Sequence, residues 1–257
     1  MGDRPEIQQG IIANDQATIN INKVEQTMGD RVEQTHSGSG DNVVGDKHVH
    51  NYVYPSAPQP PSPTAMIKIL LLSAQPRNLN PLRLDEEKRD IEQGLERSKE
   101  RDRFALVKKE AVRQRDFRRA MLDEKPQIVH FSGHGGGERG LALEDESGNM
   151  ATVSAEALTT LFRLFKSVDC VVLNACYSEV QAEAIKQAIP YVVGMNDRIG
   201  DRAAIEFAVA FYDALGAGED VPYAFDYACA AIELASLPES HKPVLLTNED
   251  LISAKKP

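Results

Sequence analysis

The sequence predicts an α/β domain with a mainly parallel sheet and helices on both faces, and three observations carry that expectation. Four short and nearly uniformly apolar runs, Met66 to Ser73, Ile128 to Ser132, Cys170 to Asn174 and Tyr191 to Met195, have the composition of strands buried on both sides. The segments between them place apolar residues at helical spacing. Strands and helices alternate along the chain, which is the pattern of a sheet sandwiched by helices.

The first of 257 residues do not belong to that pattern. In residues 1–54, Ile19-Asn20-Ile21-Asn22 and Val49 to Tyr54 alternate in a strand-like way, and Gly-Asp steps recur at Gly29-Asp30, Gly40-Asp41 and Gly45-Asp46. Such spacing suggests a small β-rich repeat. A polar segment this short buries little apolar surface alone, so it either assembles with copies of itself, giving a homo-oligomer, or stays a flexible tail. His36, His48 and His50 have no cysteine and few carboxylates nearby, a poor metal-ligand set. Residues 55–65 read as a linker, because five prolines between Pro55 and Thr64 favour an extended, semi-rigid spacer. The α/β domain is expected over residues 66–250.

Within it, Leu84, Ile91 and Leu95 mark a helix from Leu84 to Lys99, and Asp85-Glu86-Glu87 in its first turn complement the helix dipole. A strand is predicted at Phe104 to Val107, then a helix from Arg115 to Glu124 with Phe117, Ala120, Met121 and Leu122 inward. Its Arg113, Arg115, Arg118 and Arg119 have acidic neighbours and read as a solvated face. After Ile128 to Ser132 comes a hairpin around Glu144 to Gly148, and Ser154 caps a helix reaching about Phe165. Helices are predicted at 178–188, Ala203 to Leu215 and Ala224 to Leu234, and Val244 to Leu246 as an edge strand.

Composition bounds the function. Hydrophobic residues at 42% and charged residues at 26% are those of a globular chain. No apolar run approaches the ~20 residues of a membrane span, and the amino terminus lacks the features of a signal peptide, so a cytoplasmic location and no membrane contact are expected. Three cysteines suit a reducing compartment rather than a disulfide framework. A net charge of −10 supplies no general reason to bind nucleic acid.

Two runs end in reactive side chains. Ile128-Val129-His130-Phe131-Ser132-Gly133-His134 breaks into Gly135-Gly136-Gly137, and Cys170-Val171-Val172-Leu173-Asn174-Ala175 ends in Cys176. Parallel strands would bring His134 and Cys176 to the same carboxyl edge, where open α/β sheets bind ligands. A thiol beside an imidazole is a nucleophile with its base, and the N–H groups of Gly135 and Cys176 are placed to hold an oxyanion. His130 and His134 are four apart, but on a strand that spacing does not put both rings on one face, and His130 reads as a hydrogen-bonded core residue.

These residues resemble a known family. Val129 to Gly135 and Val172 to Cys176, with Leu82-Arg83-Leu84-Asp85-Glu86-Glu87, Gly194-Met195, Ile199-Gly200-Asp201 and Phe211-Tyr212, are similar to the CHAT-type caspase-like cysteine peptidases of bacteria, relatives of caspases, separase and gingipains. The resemblance covers about residues 66–246. It implies a caspase-like fold, a cysteine endopeptidase with His134 and Cys176 as its dyad, no cofactor and no metal, and a protein or peptide substrate. The two residues are 42 apart, near the roughly 50 of caspases. Where the caspase signature has Gln-Ala-Cys, this chain has Asn174-Ala175-Cys176-Tyr177-Ser178, which weakens the expectation of a caspase-like preference for Asp before the cut. Relatives often carry an acidic group that pairs with Arg or Lys there, and Asp197 and Asp201, following the strand 191–195, are the candidates; Asp201 is equally placed to cap the next helix. By family analogy the layout fits a regulated effector of stress or antiviral defence, switched by a protease or a partner through the amino-terminal segment. The competing expectation is a non-catalytic caspase-like module that docks a signalling partner.

Overall fold

The computed structural model describes residues 66–255. The expectations for residues 1–54, for the linker 55–65 and for His36, His48 and His50 lie outside the described residues.

The apolar runs form the middle of a six-stranded sheet. In chain order its strands are β1 (Ile67–Ser73), β2 (Phe104–Lys109), β3 (Ile128–Ser132), β6 (Cys170–Asn174), β7 (Tyr191–Met195) and β8 (Pro243–Thr247), and their spatial order is β2-β1-β3-β6-β7-β8. The first five run parallel, and β8 closes one edge antiparallel to β7. A separate two-stranded hairpin, β4 (Leu141–Glu144) and β5 (Met150–Val153), stands where the turn residues predict one.

Because side chains alternate along a strand, each central strand feeds two cores. Ile69, Leu71, Val172, Val193 and Met195 pack under α1 (Leu84–Arg97), α5 (Asp201–Ala217) and α6 (Val221–Leu234). Leu70, Leu72, Val129, Phe131, Val171 and Leu173 pack under α2 (Gln114–Glu124), α3 (Ala155–Phe162) and α4 (Glu179–Ile185). This double burial is why the strands are written as unbroken apolar runs. The architecture is therefore the expected one, a mainly parallel sheet flanked by helices on both faces.

Local details follow capping chemistry. Ser154 Oγ accepts from the Ala157 N–H, so the predicted cap is in place, and Asp220 does the same for Tyr223 at the start of α6. Arg113 pairs with Asp116 and Glu146, Arg115 with Glu146 and Arg119 with Asp123, the solvated face that the charge pattern predicts. Two expectations need correction. Leu122 is 61% exposed, because Phe117, Ala120 and Met121 at i, i+3 and i+4 already complete the inward stripe of α2. A last helix, α7 (Glu249–Lys255), continues past the expected boundary at 250. Among the described residues, no helix is long and apolar enough to cross a membrane.

Candidate active site

Parallel register brings the two predicted reactive residues together. Ser132 and Asn174 are direct partners across β3 and β6, and His134 and Cys176 each lie two residues beyond that pair at the carboxyl edge of the sheet. The two strand ends stay in contact past the ladder. Gly133 N–H reaches the Asn174 carbonyl at 3.4 Å, and a β-carbon on Gly135 would stand 2.0 Å from the Cys176 carbonyl oxygen. Only glycine permits that approach.

The imidazole has one nitrogen committed. His134 Nε2 lies 2.8 Å from the backbone oxygen of Asn80, which can only accept, so Nε2 carries the hydrogen and Nδ1 is left bare to take a proton. The half-buried Cys176 sulfur donates to the Ile199 carbonyl at 3.6 Å, which seats it against the loop between β7 and α5. The other two thiols sit in different surroundings. Cys170 is fully buried in the core, and burial raises its pKa far above the ordinary range. Burial pushes Cys229 up to about 11. A thiol so raised is a poor source of thiolate at neutral pH.

The glycine run after His134 is held from behind. Gln181, fully buried on α4, donates from Nε2 to the Gly137 carbonyl at 2.7 Å. Ser178, also fully buried, donates to the Leu173 carbonyl at 2.9 Å and accepts from the Met195 N–H at 3.0 Å, tying the end of β6 to β7. Tyr177, directly after the cysteine, adopts the left-handed conformation with φ of +55°.

Beneath the two loops lies a buried polar network. Glu87, only 3% exposed, accepts from Asn174 Nδ2 at 2.7 Å and meets His130 Nε2 at 3.1 Å. His130 Nδ1 faces the Tyr212 hydroxyl at 3.1 Å. The Glu87 carboxylate can only accept, so Nε2 carries the hydrogen, and Nδ1 of the neutral ring accepts from the Tyr212 hydroxyl, which burial keeps protonated. Asn174 Nδ2 also reaches the Ala204 carbonyl at 3.0 Å, joining β6 to α5. His130 is thus the hydrogen-bonded core residue that the sequence predicts. Glu87 does more than complement a helix dipole.

The candidate carboxylates part company. Asp201 lines a small cavity of about 40 Å³ together with Cys176, Ile199, Asn174 and Glu87. It does not supply the helix cap: Gly200 occupies that position, and its N–H is held by Glu239 at 2.9 Å. Asp197 is exposed and engaged elsewhere, accepting from the Arg198 N–H at 2.7 Å, and that bond together with the nearby Tyr177 hydroxyl holds its carboxyl below the usual range. Glu87, Asn174 and Gln181 were not singled out by the sequence as site residues; a polar side chain in an otherwise apolar strand end is the signal that marks Asn174.

A six-stranded, mainly parallel sheet with one antiparallel edge strand and helices on both faces is a caspase-like α/β fold. A secreted C11 cysteine protease from Bacteroides thetaiotaomicron, solved with an irreversible peptide inhibitor, has the same fold, with a TM-score of 0.54 at 12% identity over 73% of this chain and 68% of that one. The CHAT domain profile matches residues 43–232, and the chain belongs to that family. Among curated proteins it is 28% identical over 198 residues to a Roc-COR-CHAT protease of an unknown prokaryotic organism, and 26% identical over 174 residues to a "Probable protease" of Gillisia limnaea. Those alignments take in 71% and 66% of this chain but 19% and 31% of the relatives, so the chain spans about a fifth to a third of their length.

Proposed function

We propose that the chain is a cysteine endopeptidase acting on protein or peptide substrates. Cys176, as thiolate, attacks the scissile carbonyl, and the N–H groups of Gly135 and Cys176 hold the oxyanion. The His134 imidazole takes up the thiol proton at Nδ1 and passes it to the leaving amine as the carbon–nitrogen bond breaks. It then draws a proton from water, whose oxygen displaces the thiolate from the thioester. The observation that carries this reading is the shared register of β3 and β6, which hangs both side chains two residues past one pair of facing residues. The bare Nδ1 of His134 and the protease names of the relatives support it.

The carboxylates of Asp201 and Glu87 beside Cys176 favour a basic residue before the cut, because a donor-only guanidinium or ammonium is what such acceptors bind. By family analogy, the biological setting is a regulated effector of bacterial stress or antiviral defence.

The test is a cleavage screen over peptides varied at the residue before the cut, with labelling of Cys176 by a peptide electrophile. Cys176→Ala and His134→Ala should each lower cleavage by about 10⁴-fold or more with unchanged melting temperatures. Asp201→Asn should weaken Arg and Lys peptides selectively. Full activity in either dyad variant would end the peptidase reading, and a folded protein that neither cuts nor labels would favour the docking module.

A further inference from the structure

A second recess adjoins the site. Besides the cavity that Cys176 shares with Asp201, a groove of about 380 Å³ is built on Gly135, Gly136 and Gly137, with Tyr177 and Val180 as its apolar wall and Glu138, Arg139, Glu179 and Asn196 as its polar rim. Those two walls are large apolar side chains 45% and 44% exposed, whereas Ala175, Ala182 and Ile185 around them in sequence are buried. The tyrosine's backbone is also fixed. Its N–H donates to the Asp197 carbonyl at 3.2 Å, and it sits at a φ that side-chain-bearing residues rarely adopt. An exposed aromatic side chain on a pinned and strained backbone next to a reactive thiol is a preorganised contact surface rather than a loose surface residue.

The direction of the groove follows from the chemistry. The leaving amine must receive its proton from the imidazole, so the part of the substrate after the scissile bond lies on the imidazole's side of the sulfur. The groove's floor is the three residues that follow His134. Glycines there leave room for an extended chain.

We infer that Tyr177 and Val180 form the subsite for the residue immediately after the scissile bond, and that it selects an apolar side chain. Asp197 is then a positioning residue, acting through the tyrosine it anchors. The inference rests on the peptidase reading.

The test uses the full chain and peptides with one common acyl half, carrying Leu, Phe, Gly or Asp after the cut. The wild type should favour Leu and Phe over Gly by on the order of tenfold or more in kcat/KM, the usual reach of an apolar pocket. Tyr177→Ala and Val180→Ser should each shrink that ratio to about threefold or less, while Tyr177→Phe, which keeps the ring, should retain most of it. Equal rates across the series in the wild type, or an undiminished ratio in Tyr177→Ala, would overturn the assignment. An acyl-side electrophile that ends at the reactive carbon separates the two failures. Labelling of Cys176 without discrimination sinks only the subsite. Absence of both cleavage and labelling sinks the peptidase reading and the subsite with it.

Discussion

Gly135→Ala tests the approach of the two strand ends directly. The added methyl would stand 2.0 Å from the Cys176 carbonyl oxygen, with the Cys176 and Ala175 carbonyl carbons at 3.1 and 3.3 Å. An ordinary carbon–oxygen contact is about 3.3 Å, so one backbone must retreat by roughly 1.3 Å. Overpacking of that kind costs about 1–3 kcal/mol, which for a domain of this size lowers the melting temperature by roughly 2–12 °C. The larger effect falls on chemistry, because a displacement of about 1 Å in reacting groups costs on the order of 10²-fold in rate. Gly136→Ala is the comparison. Its φ of −124° suits any residue, and its nearest neighbours are Arg139 side-chain atoms at 3.3 and 3.5 Å and the Gly140 oxygen at 3.5 Å. Its melting temperature should stay within about 2 °C of wild type, and its loss of peptide cleavage should be much smaller. Thermal melts and initial rates on one peptide decide the matter: a Gly135→Ala protein that cuts at the wild-type rate, or equal losses in the two variants, would refute the argument.

Two further outcomes follow from buried polar contacts. Glu87→Ala strands the His130 Nε2 donor and leaves Asn174 Nδ2 with the Ala204 carbonyl alone, so at about 1–3 kcal/mol for an unsatisfied buried group the loss in urea denaturation should be roughly 1–3 kcal/mol. Glu87→Gln keeps a carbonyl oxygen and should lose less than half of that; an alanine variant within about 0.5 kcal/mol of wild type would contradict the network's role. Burial works against the ionisation of Glu239, but the Lys242 ammonium and the Gly200 N–H outweigh it and hold its carboxyl below the usual range. A depressed carboxylate stabilises the fold above its unfolded pKa of 4.5, and that contribution disappears as pH falls through the lower folded value. Glu239→Gln should therefore cost on the order of 1 kcal/mol at pH 7, with the gap to wild type closing in acid melts; a gap that persists at the acid end would rule the ion pair out as its source.

What could be read from the sequence was what burial writes into local composition. Strands covered on both faces become continuous apolar runs, so β1, β3, β6 and β7 were legible almost to the residue, and with them the placement of His134 and Cys176. Glu87 stands in the first turn of its helix as expected, but its network role was hidden because its partners stand 43 and 87 positions away, and nothing local distinguishes it from Asp85 and Glu86. Asp197 and Asp201 looked equivalent four residues apart, since loop backbone decides which carboxylate lines the cavity beside the thiol and which turns back to the Arg198 N–H. The cap position that was the alternative for Asp201 is taken by Gly200, whose own N–H is held by a carboxylate 39 positions away. Leu122 shows the reverse limit: an apolar letter next to a complete stripe carries no obligation to be inside.

The strands that carry His134 and Cys176 are the third and fourth of six, each bonded on both sides. Fraying at a sheet's margins, where amide exchange is fastest, does not reach them. Amides of β3 and β6 are expected among the slowest to exchange, and the two loops that hold the reactive side chains start from the part of the sheet that opens last.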